Sequence, residues 1–176
     1  MITEKVTMRS EAIFSGCTQH RFVLRKIWNK DKPLACIVML NPCESGLLIT
    51  DLTTNLVINN VSRLCEYGGV VIVNLFSQIT PKLRFRHTTI EELNSPENDT
   101  YIAKVASECS VVILAWGKAA DSSIHIANRI ETVLDILAPY KEKLMVITDG
   151  HRKLLHPLSP QLRKQWRLIP YEPAEN

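Results

Sequence analysis

Four short polar segments in this chain each follow an apolar, strand-like run, and their side chains are of the kinds that hold and polarise a small ligand. They are Asn41-Pro42-Cys43 after 35–40, Asn74 and Phe76 at the end of 70–73, Trp116-Gly117 after 110–115, and His156 with Ser159 after 144–148. An asparagine amide offers a donor and an acceptor side by side, which suits the edge of a nucleobase; equally, it can cap a turn or tie down backbone. Asn74 is embedded in an apolar run, so its amide needs partners or costs about 1–3 kcal/mol to bury. A histidine can act as an acid, a base or a donor to an anion, and His156 stands between Leu154-Leu155 and Pro157-Leu158. Cys43 near such a histidine is a candidate thiolate nucleophile with His156 as its base, although a small cysteine at a strand end is more often a packing residue. Asp51 is the nearest carboxylate after the first segment, with Thr53 beside it.

The elements that must position these residues follow from the pattern of apolar positions. Residues 13–14 and 22–28 read as a small antiparallel flank, with Gly16 and Thr18 between them. From Leu34 the order is strand, helix, strand, helix, strand, helix, strand. Thr50 or Asp51 caps a first helix with Val57, Val61, Leu64 and Cys65 on its inner face, and Gly68-Gly69 ends it. Ser95-Pro96-Glu97 opens a second helix as cap, first-turn proline and acid. Residues 122–140 make the longest helix, with Ile124, Ala127, Ile130, Val133, Leu134 and Leu137 on one stripe. Residues 159–166 read as one short amphipathic helix. Strands alternating with helices indicate parallel pairing, so the expectation is a single domain over 1–176, with 1–33 as a flank and 34–170 as the core. Its fold class is α/β: a three-layer α/β/α sandwich around a central four-stranded, mostly parallel sheet. In such sheets ligands bind outside the carboxyl ends of the strands, where all four polar segments fall.

Composition narrows the function classes. The chain has 176 residues, 45% of them apolar and 22% charged, ordinary values for a globular protein. Five cysteines without a C-x-x-C spacing argue against a disulfide framework and for a reducing compartment. No apolar run reaches the ~20 residues of a membrane span, and Met1–Lys5 lacks a secretory signal, so the expected location is cytoplasmic, away from membranes. No His, Cys or carboxylate spacing fits a metal site, and no glycine-rich phosphate loop is present; no cofactor is expected. The net charge of +3 is too small to imply a nucleic-acid partner, but its distribution is uneven. Eight basic residues fall in two acid-free segments: Lys82, Arg84 and Arg86 in 76–90, and Arg152, Lys153, Arg163, Lys164 and Arg167 in 150–171. Both follow strands of the inferred sheet. They contact a phosphate backbone if they converge in space; otherwise they are solvated loops.

Taken in order, these segments resemble the uracil-DNA glycosylase superfamily. Its members carry a G-Q-D-P-Y-H or G-I-N-P-G motif after the first central strand, a strand ending in Asn, a later strand ending in W-G or L-G, and an H-P-S-P-L-S loop. Leu40-Asn41-Pro42-Cys43, Val73-Asn74, Ala115-Trp116-Gly117 and His156-Pro157-Leu158-Ser159-Pro160 stand in those places. A closer resemblance, over 21–160, is to a domain of unknown function family numbered 1643, through its L-N-P-S, D-x-T, N-L-F, E-N-D, W-G and H-P-L elements. Those match 40–43, 51–53, 74–76, 97–99, 116–117 and 156–158.

The superfamily resemblance implies a site in which Asn41 positions a water, Asn74 reads the base edge with Phe76, Pro42 and Cys43 beside it, and His156 stabilises the departing base. Asp51, Thr53, Trp116 and Gly117 complete the pocket, and Ser159 with Arg152, Lys153, Arg163 and Lys164 meets the nucleic-acid backbone. The sequence also departs from the pattern. Asn41 replaces the carboxylate that activates water, Cys43 stands where a tyrosine excludes thymine, and Leu158 and Pro160 alter the loop that pinches phosphates and wedges the duplex. Those departures favour a relative that keeps the pocket and binds nucleic acid, a nucleobase or a protein partner. The other reading is an active DNA glycosylase that hydrolyses the N-glycosidic bond of uracil or another base.

Overall fold

A computed structural model describes residues 1–43, 46–86, 88–151, 154–162 and 165–173. Its centre is one seven-stranded mixed sheet. The strands are β1 (Arg9–Phe14), β2 (Arg21–Ile27), β3 (Leu34–Met39), β4 (Gly69–Asn74), β5 (Val111–Leu114), β6 (Leu144–Thr148) and β7 (Arg167–Pro170), lying in the order β1-β2-β4-β3-β5-β6-β7. β4, β3, β5 and β6 pair in parallel, while β1, β2 and β7 add antiparallel edges. The four-stranded expectation therefore undercounts the sheet. β1 and β2 are full strands of the same sheet rather than a separate flank. Of the expected tail helix over 159–166, the described residues show a 3₁₀ turn, Pro160–Leu162, and β7 follows directly after that span, where no strand was expected. The reason is local: a four-residue edge strand ending in Pro170 carries no readable period, and proline is tolerated at an edge.

Four α-helices are described: α1 (Leu52–Arg63), α2 (Ile90–Leu93), α3 (Glu97–Glu108) and α4 (Ile124–Leu137). The helices cover both faces of the sheet. Val57 and Val61 of α1 pack with Leu24, Ala35, Ile37 and Ile72 on one face. α3 and α4 pack over Cys36, Val38, Val71 and Val73 on the other.

Asp51 is the N-cap of α1, its Oδ1 accepting from the Thr54 N–H at 2.9 Å. The helix stops at Arg63, earlier than expected, because Cys65 turns left-handed at φ 61° before Gly68 is reached. On α4 the buried stripe is Ile126, Ile130, Val133 and Leu137, while Ile124 is 68% exposed. The expected stripe began two residues early because Ser123 caps the helix and Ile124 occupies its solvent side. α2 is a single turn closed by a capping box between Thr89 and Glu92, with Leu93 driven into the core. No helix among the described residues is long and apolar enough to cross a membrane.

Candidate functional site

β3 lies between β4 and β5, so the chain leaves it to one side through α1 and later returns on the other. Ligand crevices of open α/β sheets form at the carboxyl end of such a strand. A cleft of about 230 Å³ sits there, lined by Met39, Leu40, Asn41 and Cys43 from the end of β3. Asp51 and Thr53 at the start of α1, Thr80 and Pro81 after β4, Arg21, and His156 with Leu158 complete the wall. It is below the usual 300–1,000 Å³ of ligand pockets, a size for one small ring rather than an extended molecule.

Backbone pairing continues past the strands to shape this cleft. The N–H groups of Leu75 and Phe76 donate to the carbonyls of Met39 and Leu40, at 2.8 and 3.0 Å. One loop beyond, Thr80 N–H donates to the Pro42 carbonyl at 3.1 Å. Asn41 Nδ2 donates to the Thr80 carbonyl at 2.6 Å and to the Pro42 carbonyl at 3.2 Å. Both amide protons are thus spent on backbone, which fixes the side chain and leaves Oδ1 as its acceptor.

His156 is oriented from two sides. Its Nδ1 accepts from the Leu158 N–H at 3.1 Å, so the proton of the neutral ring sits on Nε2. Behind it lies Gly117, at φ +62°, where an added Cβ would come within 2.8 Å of the His156 Cβ and 3.2 Å of its backbone N. The glycine of the Trp-Gly pair therefore serves as the surface against which His156 rests. Burial lowers the His156 pKa, which favours the neutral ring at ordinary pH.

The remaining groups form a cluster of opposite charges. Arg21 is 2% exposed. It reaches the α1 side of the sheet because β2 carries a bulge: Ile13 pairs with Val23 and Phe14 with Arg21, leaving Phe22 unpaired between them. The extra residue lets Phe22 and Val23 both face the α3–α4 core while Arg21 turns the other way. Burial lowers the Arg21 pKa, opposed by the charges of Cys43 and Asp51. The Cys43 thiol is pushed up, first by burial, then by its hydrogen bond to Asp51 and that carboxylate's charge, with Arg21 opposing. A thiol so held is protonated at neutral pH, the wrong state for a nucleophile. Asp51 is the sole carboxylate on the cleft wall among the described residues, and its oxygens accept from Thr54 N at 2.9 Å and Thr54 Oγ1 at 2.8 Å.

Of the residues expected at the site, Asn41, Cys43, Asp51, Thr53 and His156 come together here. The others do not line the cleft. Asn74 is 1% exposed and pairs in register with Met39, which does line it; the Asn74 Nδ2 has no hydrogen-bond partner. Phe76 and Trp116 are core residues of the α3–α4 face, drawn inward by the apolar surface they bury. Pro42 is buried, Gly117 stands behind His156, and Ser159 closes the turn by donating to the His156 carbonyl at 2.8 Å. Arg152, Lys153, Arg163 and Lys164 lie outside the described residues. Sequence reasoning missed Arg21 and Thr80, and read Leu158 as part of the altered loop rather than of the cleft wall. A single cation opening the otherwise apolar run Phe22-Val23-Leu24 was the available signal for Arg21.

A family model described as a protein of unknown function, DUF1643, matches residues 21–158. The chain belongs to the DUF1643 family. The DUF1643 region begins at Arg21 and ends at Leu158, two residues of the cleft wall, and every other lining residue lies between them. β1 and β7, the two edge strands, fall outside it. No curated protein and no solved structure matches the chain significantly. Among the described residues, no cluster of three or more His, Cys, Asp or Glu side chains could hold a metal.

Proposed function

We propose that this DUF1643 protein is a non-excising relative of the uracil-DNA glycosylases that holds a nucleobase of a nucleic acid in the β3 cleft. The observation that carries this reading is the meeting of Asn41 and His156 on one small cleft whose only described carboxylate is already engaged. The Asn41 Oδ1 accepts from a ring N–H, and the His156 Nε2–H donates to a ring carbonyl, so the two groups suit one edge of a pyrimidine. Hydrolysis of an N-glycosidic bond also needs a group that takes a proton from water. An amide cannot, and Asp51 is occupied by the two Thr54 donors and by Cys43.

The second reading, an active glycosylase, is favoured by one fact: Asp51 does lie on the cleft wall. Single-turnover assays with excess protein over uracil-, hypoxanthine- and mismatch-containing oligonucleotides separate the two. The proposal expects no abasic product. Product that disappears in Asn41→Ala, His156→Ala and Asp51→Asn would establish the enzyme instead. A cleft that takes neither a nucleobase nor an oligonucleotide would point to a protein partner.

A further inference from the structure

The loop between β4 and α2 presents three cations in a row of alternate positions. Lys82, Arg84 and Arg86 are exposed, while Leu83 and Phe85 between them pack against the α3–α4 core. Phe85 meets Phe76 edge-on, with ring centroids 5.7 Å apart, and stacks on His125 at 5.1 Å. The loop is fixed at its start by Thr80, which is bonded to Asn41 and Pro42 and whose Oγ1 donates to the Lys82 carbonyl at 3.1 Å. Its end is fixed by the Thr89–Glu92 capping box. None of the three cations forms an ion pair among the described residues. A charged segment already ordered at both ends loses little further freedom on binding.

Two features give the row a direction. Thr80 and Pro81 line the β3 cleft, and Arg86 lines a second, shallower depression of about 500 Å³ with Phe85, Thr88, Thr89, Ile90 and His125. The cations therefore run from one depression to the other. In the chain just before Asp51 and Thr53, which line another wall of the cleft, Leu48 and Ile49 are 94% and 80% exposed. Their loop is held rather than loose: the Leu47 carbonyl accepts from the Ser10 hydroxyl at 2.8 Å and from the buried Lys26 ammonium. A buried ammonium bonded to the base of an apolar tip keeps that tip in one place.

We infer that Lys82, Arg84 and Arg86 form a phosphodiester track for a single nucleic-acid strand passing the mouth of the β3 cleft, with Leu48 and Ile49 packing against the base beside the one that enters. The inference rests on the nucleobase reading of the cleft and adds to it the path of the strand and the residues that hold it. An acidic peptide would satisfy the cations alone. A strand of nucleic acid also uses the apolar tip, since leucine and isoleucine side chains pack between unstacked bases. An unpaired strand presents a base to the cleft without the cost of flipping it out of a duplex.

The test is anisotropy of a short fluorescein-labelled oligothymidylate titrated with the full chain over a salt series. Each phosphate contact to a single strand adds about −0.7 to the slope of log K against log salt, so three contribute about −2. Between about 50 and about 200 mM salt, affinity then falls about 20-fold through this track. Combining Lys82→Gln, Arg84→Gln and Arg86→Gln removes that part of the slope; Lys82→Arg keeps it. Leu48→Ser with Ile49→Ser lowers affinity about tenfold at every salt concentration and leaves the slope alone. A triple glutamine variant with the wild-type slope overturns the track. So does displacement of the oligonucleotide by polyglutamate as effectively as by unlabelled oligothymidylate, which would mark an acidic-peptide site. No oligothymidylate binding at the lowest salt, with uracil still perturbing His156, removes the track and leaves the nucleobase reading standing.

Discussion

Replacing Gly117 by alanine tests the packing that sets His156. At φ +62° an alanine carries a left-handed strain of about 1–2 kcal/mol. Its Cβ would also lie 2.8 Å from the His156 Cβ and 3.2 and 3.4 Å from its backbone N and Cα. Those are atoms that no rotamer change can move, so the backbone of the 156–159 turn must shift, an overpacking cost of about 1–3 kcal/mol. Together these give a loss of about 2–5 kcal/mol, or a fall of roughly 4–20 °C in Tm for a domain of this size. Urea and thermal unfolding followed by circular dichroism measure the loss, and nitrogen NMR of the imidazole reports the Leu158–Nδ1 bond, which breaks as the turn moves. Gly46→Ala, where an added Cβ meets nothing within 4 Å, is the control and changes stability by no more than about 0.5 kcal/mol. Equal stability of the two variants, with the His156 signal unchanged, would refute the backstop.

Three further outcomes follow from the same geometry. Because burial lowers the His156 pKa, the unfolded chain takes up that proton first as pH falls below about 6.5; the histidine's contribution to stability is complete above that value and is lost as pH drops through the folded pKa, so urea midpoints of wild type lose more across this window than those of His156→Gln. Asp51→Asn keeps a capping side chain on α1 but removes the carboxylate that, after burial, helps to hold Cys43 protonated, so alkylation of Cys43 at mildly alkaline pH becomes faster, and an unchanged rate would break the proposed contact. Asn98→Ala removes the buried amide that donates to the Asn74 carbonyl at 3.0 Å and to the Asn94 Oδ1 at 2.8 Å, costing about 2 kcal/mol in denaturant unfolding.

How much of this was legible in the sequence depended on burial. β6 falls on Leu144–Thr148 as read, β4 ends at Asn74, and β3 ends at Met39, just short of Asn41, because strands buried on both faces are unbroken apolar runs. The edge strands were shortened or missed, since half-buried stretches such as Arg9–Phe14 mix polar and apolar residues without strict alternation. The site shows the same division. Asn41 and His156 were readable from their place after a strand, which determines which end of the sheet they occupy. Arg21 was not, because its direction depends on one unpaired residue in β2, a bulge that no spacing announces. Asn74 was readable as a strand end, with burial in the core as one of its two readings; its absence from the cleft wall was not readable, since β4 is buried on both faces. The Glu97-Asn98-Asp99 element, recognisable only as a motif, proves to be structural: Asn98 and the Arg129 paired with Asp99 both donate to carbonyls at the end of β4.

The central claim, that the β3 cleft holds a nucleobase between Asn41 and His156, is tested most directly by nitrogen-detected NMR of the His156 ring during titration with uracil. A nucleobase held there gives a saturable shift of the Nε2–H resonance, with Nδ1 still bonded to Leu158 and with the effect lost in Asn41→Ala. An Nε2–H resonance that stays unchanged at saturating uracil, or one that shifts equally in Asn41→Ala, would contradict it.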